Sequence, residues 1–97
     1  NDTTMLEASR ILAGKAKTLD DLALRILSRP LEPDELTVLE REHEKALSHY
    51  RKNPQEATEL LTVGQQTPPL PDHAPALAAR MTIASLLLNL DEAITHE

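Results

Sequence analysis

Ninety-seven residues with a formal charge of -6, no cysteine and a single aromatic, Tyr50, describe one domain with an aliphatic core. The acidic balance argues against a phosphate-backbone partner, whose binding rests on Lys and Arg, and the lack of cysteine removes disulfides, thiolate metal ligands, covalent haem attachment and thiol nucleophiles. The longest apolar run, Pro75 to Leu90, is broken by Arg80 and falls short of the roughly 20 residues a membrane span needs.

With Gly14 and Gly64 the only glycines and few β-branched residues, the chain favours helices. The first predicted helix runs from Thr3 to Ala16, capped by Asp2 or Thr3, with Thr4 and Glu7 at capping-box spacing. Met5, Ala8, Leu12 and Ala16 recur at helical intervals and are expected to face inward. Thr18, followed by Asp20 and Asp21, introduces a second helix from Leu19 to Ser28 whose inner stripe is Leu19, Leu22, Ala23, Ile26 and Leu27. Pro30 is expected to stop it, because a proline lacks the N–H and fixes φ, and to push Arg29 toward an extended conformation.

Pro33 opens the third helix with Asp34 and Glu35 in its first turn, and Leu36, Leu39, His43, Ala46, Leu47 and Tyr50 continue one face. Its outer face pairs Arg41 with Glu44 and Glu42 with Lys45. Asn53-Pro54-Gln55-Glu56 repeats that pattern of cap, proline and acid, beginning a short helix through Leu60, Leu61 and Val63 that Gly64 should end. Pro68, Pro69 and Pro71 stiffen the connector 65–72 into an expected ordered, extended segment.

The last helix starts near Pro75 and reaches Leu90, with 91–97 fraying or adding one turn. Leu77, Met81, Ala84 and Leu88 lie on one side and Ile83, Leu87 and Leu90 on another, separated by a small-polar strip of Ala78, Thr82, Ser85 and Asn89. A helix apolar nearly all round is a buried helix. The fold class is therefore all-α: a compact bundle of four to five helices in a single domain, 1–97, with the last long helix central.

Candidate chemistry is sparse. Glu40 and His43 have the Glu-x-x-His spacing of helical di-iron sites, but that architecture needs a second such motif and two further glutamates, and His43 also continues the apolar stripe, so a partly buried histidine is the better account. His43 and His49 point to different sides of their helix, while His73 and His96 have no nucleophile nearby in sequence. Asp91 and Glu92 suit a helix end better than an acid pair, since adjacent helical residues diverge. Asn89, if buried, must satisfy its amide by capping the last turn or bonding the connector's backbone. Arg80 is either a paired internal charge or an edge residue facing solvent, and the edge is favoured because an unpaired buried guanidinium is costly. No catalytic, cofactor-binding or metal residue is assigned, and no cofactor is expected. Asn89, Asp91, Glu92, His43 and Arg80 are retained as candidates for a structural or interface role.

The ordered set Asn1-Asp2, Glu7-Ala8-Ser9-Arg10, Arg25-Ile26-Leu27-Ser28-Arg29-Pro30, Pro33-Asp34-Glu35-Leu36, Leu61-Thr62-Val63-Gly64 and Leu87-Leu88-Asn89-Leu90-Asp91-Glu92 resembles the C-terminal part of a domain-of-unknown-function family of large planctomycete proteins, many of which carry cytochrome-c-like domains. The resemblance spans nearly the whole chain and implies the tail of a long, often exported or periplasmic polypeptide, with no established catalytic residues to carry over. Two positions depart from the pattern. Glu32 stands where a threonine usually precedes the second proline, which should weaken the third helix's cap, and Ala93 stands where an aromatic usually follows Asp-Glu. The expected role is a non-catalytic accessory or interaction domain that packs against other domains of the same polypeptide, with a homodimer possible for the chain by itself. The alternative is a segment completing an enzymatic or electron-transfer site whose main groups lie upstream.

Overall fold

Five helices form where the caps and prolines divide the chain. The computed structural model describes residues 3–62 and 73–95, and the side chains of 6–62 and 73–91. In it α1 spans Thr3–Lys15, α2 Leu19–Leu27, α3 Pro33–Lys52, α4 Pro54–Leu61 and α5 Ala74–Thr95. Among the described residues there is no strand. The radius of gyration, 13.1 Å, is what a close-packed chain of this length has.

α5 is central, packing against each of the other four helices. Around its C-terminal half Leu22, Ala23, Leu39, Ile83, Ala84 and Leu87 form one core region. Around its N-terminal half Ala13, Ala57, Leu61, Ala74, Ala78 and Met81 form a second, against which Tyr50 leans. Several of these side chains are alanines, so α1 and α4 come close to α5 there.

The inward face of α1 differs from the expected one. Ser9 and Ala13 are fully buried, as is Ala16 just past the helix, whereas Ala8 and Leu12 are half-buried and Met5 lies outside the described side chains. The contact line on α5 selects small residues, Ser9, Ala13 and the expected Ala16. Ser9 Oγ meets Ser85 Oγ at 2.8 Å across that contact, so Ser85 on the small-polar strip of α5 gives the buried Ser9 hydroxyl its partner. The proposed cap, Asp2 or the Thr3 side chain, and the Thr4 side chain of the capping-box spacing lie outside the described residues or side chains.

α2 begins as the sequence implies, the Thr18 hydroxyl accepting from the Asp21 N–H at 3.0 Å. Its end does not wait for Pro30. Ser28 takes the left-handed conformation, φ 61 and ψ 26, and donates its backbone N–H to the Leu24 carbonyl. The chain thus turns two residues before the proline, which then bars the helix from resuming.

Asn53 behaves differently from a simple N-cap. Its backbone and side-chain amides both donate to the His49 carbonyl at 2.9 Å, so it closes α3 while Pro54 opens α4. Across this elbow His49 Nε2 meets Glu56 Oε1 at 3.1 Å. α4 spans Pro54–Leu61 with Thr62 as its C-cap; Val63, Gly64 and the connector 65–72 lie outside the described residues. α5 runs on to Thr95, so the chain beyond Leu90 adds the further turn that stood as the alternative to fraying.

Candidate functional site

The α2–α3 corner is where local sequence and tertiary geometry meet most closely. The Arg29 guanidinium donates to both carboxylate oxygens of Glu35, each at 2.8 Å, and to the Pro30 carbonyl at 3.2 Å. Glu35 Oε1 also accepts the Glu32 N–H at 2.9 Å. A two-point Arg–carboxylate contact fixes orientation as well as distance. The corner is therefore held from both sides, and this answers the weakness expected from Glu32: the third residue of α3 reaches back to the cap.

The Arg29 contact, with the Glu32 N–H second, holds the Glu35 carboxyl at about 2, against the usual 4.5. The same pairing raises the Arg29 guanidinium. Because the folded-state value is depressed, the pair's contribution is complete above about pH 4.5 and is lost as pH falls through 2. Glu35→Gln removes that titration. Thermal unfolding midpoints measured from pH 5 down to 2 should show the gap between the native chain and Glu35→Gln narrowing steadily; a gap independent of pH would refute the assignment.

Beside this clamp lies an apolar groove of about 200 Å³ between α2, α3 and α5. Leu27, Leu31, Val38, Leu86 and Leu90 line it, with Leu39 and Leu87 at its floor and Glu35 its one charged lining residue. Val38 is 50% exposed, Leu86 41% and Leu90 42%, unlike most large aliphatics of this chain. Leu86 also borders a second cleft further along the α3–α5 seam, with Glu42, Lys45, Ala46, His49, Tyr50 and Thr82. The two clefts thus adjoin at Leu86. The groove's volume near Leu90 is below the roughly 300–1,000 Å³ of drug-sized ligand sites, and it suits side chains of a macromolecular partner.

The five residues retained from the sequence are not assembled into one site. Among the described residues Arg80 neither pairs with a carboxylate nor stands free at an edge. Its guanidinium donates to the Ala16 carbonyl at 2.9 Å and the Lys17 carbonyl at 3.4 Å, satisfying the C-terminal end of α1 where a cation also suits the dipole. Asp21 secures the same turn by accepting the Lys17 N–H at 3.1 Å and the Arg25 guanidinium at 3.3 Å, and its carboxyl is lowered by these contacts, the Lys17 N–H first. Asn89 is exposed, so its amide needs no internal partner: the face of α5 turned to the core holds Ile83, Ala84 and Leu87, and Asn89 lies away from it, while Leu90, two turns beyond Ile83, is 42% exposed at the rim of the groove. Asp91 is half-buried near the end of α5, and the Glu92 side chain lies outside the described ones.

His43 is half-buried on α3 and Glu40 is exposed. Among the described residues no three His, Cys, Asp or Glu side chains are grouped so as to hold a metal ion. Of the two surface pairs on α3, Glu42–Lys45 forms at 3.5 Å. No helix among the described residues is long and apolar enough to cross a membrane.

The groove residues Val38, Leu86 and Leu90 were the ones sequence reasoning missed. Their signal was present in part: Val38 stands off the Leu36, Leu39 stripe, and Leu86-Leu87-Leu88 cannot all face one core.

Fold and groove together define an all-α bundle with an exposed aliphatic seam. No family model, curated protein or solved structure matches the chain.

Proposed function

We propose that the chain is a non-catalytic helical accessory module that packs against other domains of the same polypeptide, using the α3–α5 seam. The carrying observation is the cluster of Val38, Leu86 and Leu90, each 41–50% exposed around one aliphatic groove. Exposed apolar residues that are contiguous, as opposed to scattered singly, mark interaction surfaces. The Arg29–Glu35 clamp supports the reading, since it fixes the corner carrying Leu27 and Leu31 and so presents the groove in one shape. The resemblance to the C-terminal part of large planctomycete proteins associated with cytochrome-c-like domains supports it as well.

The test is reconstitution in trans. The 97-residue chain, added to the polypeptide from which it has been deleted, should co-migrate with it in size-exclusion chromatography. Leu86→Glu should abolish co-migration while leaving the helical circular-dichroism signal intact. Absence of co-migration, or undiminished binding by Leu86→Glu, would overturn the proposal.

A further inference from the structure

We infer that the same seam also accepts a second copy of this chain, in an antiparallel arrangement about a two-fold axis near Leu86. The inference rests on the interaction reading above and adds a specific occupant and orientation.

Two observations carry it. First, the patch holds both protrusions and a hollow. Val38, Leu86 and Leu90 project by nearly half their surface beside a cavity of about 200 Å³ that they themselves border. A two-fold interface requires one patch to complement itself, and a surface with knobs and a hole of aliphatic size meets that condition.

Second, the charges along α3 run from negative to positive. Asp34 is exposed in its first turn, where Glu35 is already held by Arg29, and Arg51 and Lys52 are exposed in its last turn, where His49 meets Glu56. Asp34 and Lys52 are both exposed and lie eighteen residues, five full turns, apart, so they share one side of the helix with Val38 and Lys45. Leu86, which borders both clefts, lies between these ends. Rotation by a half-turn at Leu86 therefore sets the acidic end of one copy against the basic end of the other. A parallel arrangement opposes like charges at both ends. Charge pairing of this kind fixes orientation more than strength.

The size of the seam sets the strength. From Asp34 to Lys52 it is about 27 Å long, and two helices side by side offer roughly 20 Å of width. That gives on the order of 500 Å² per copy, short of the roughly 800 Å² per partner typical of stable complexes. The dimer is accordingly weak and concentration-dependent.

Sedimentation equilibrium of the chain from about 1 µM to about 1 mM tests the inference. The weight-average mass should rise from 10.7 kDa toward twice that value. Leu86→Glu should hold it at the monomer throughout. Asp34→Lys and Lys52→Glu, both at exposed positions, should each move the midpoint upward about tenfold, and an equimolar mixture of the two should restore association. A chain monomeric over the whole range, an unaffected Leu86→Glu variant, or charge variants that fail to rescue one another would overturn it. A monomer that still binds the remaining polypeptide through Leu86 would sink this inference and leave the interaction reading standing; loss of both would sink both.

Discussion

Leu87→Ala is expected to lower the unfolding free energy by about 2–5 kcal/mol, the range for emptying a fully buried leucine site. Leu87 is 1% exposed and sits among Leu22, Ala23, Leu39, Ile83 and Ala84, so the atoms removed have partners from three helices. Collapse into the space is hindered because the facing residues belong to different helices held by their own caps. Against a total stability of about 5–15 kcal/mol for a domain, this is a large fraction. The unfolding midpoint should fall by roughly 8–40 °C, at about 4–8 °C per kcal/mol for a chain of this length. Leu86→Ala, one residue earlier but 41% exposed, should lower stability by only about 1 kcal/mol. Thermal melts of the two variants followed by circular dichroism decide the matter. Equal losses would mean that the rotation of α5 about its axis is wrong, and the groove with it.

That rotation is the feature the sequence conceals. Helix boundaries are legible wherever a residue type has one local job, as at Thr18, Pro33 and Pro54, and those starts are where the structure has them. Facing is legible for α2, whose apolar residues occupy one stripe against a polar remainder, and Leu22 and Ala23 are indeed its buried pair. α5 offers no such contrast. Nearly every position from Ala74 to Leu90 is apolar or small, so periodicity does not say which side meets the core, and nothing in it sets the exposed Leu86 and Leu90 apart from the buried Leu87. For α1 the stripe of Met5, Ala8, Leu12 and Ala16 suggested a face; Ala16 is buried on it, but close approach to α5 also buries Ser9 and Ala13. The candidate groove was hidden for the same reason: it exists only in the relation between α3 and α5.

The α2–α3 corner shows the complementary case. Two prolines make the break obvious, yet Arg29 and Glu35 are six residues apart with a turn between them, which is no helical pairing interval. Their two 2.8 Å contacts follow from the left-handed Ser28, which redirects the chain before Pro30. Arg80 is alike in this respect. A lone cation on an apolar helix signals a partner, but the partner is a helix end 64 residues away in sequence, and backbone carbonyls leave no trace in residue types. What sequence could establish were the elements; what it could not were the contacts that orient them.

Ala78→Leu is expected to destabilise the fold by about 1–3 kcal/mol or more, through overpacking. Ala78 is fully buried on α5 among Ala13, Ala57 and Ala74, where α1 and α4 close on the central helix, and its carbonyl already accepts the Thr82 hydroxyl at 3.0 Å. Three added carbons have no room unless a neighbouring helix moves away, and such movement strains the Ser9–Ser85 contact and the Arg80 cap of α1. Helix propensity does not confuse the result, since alanine and leucine are both strong helix formers. Ala76→Leu, at an exposed position two residues earlier, supplies the control and should shift stability by no more than about 0.5 kcal/mol. In urea titrations the Ala78→Leu midpoint should fall with the slope unchanged. Adding Leu61→Ala, whose side chain belongs to the same core region, should cost less in the Ala78→Leu background than in the native chain, because the smaller residue makes room for the larger. If Ala78→Leu is neutral, the closeness of α1 and α4 to α5 is not what organises this half of the bundle, and the preference of the contact line for small side chains loses its explanation.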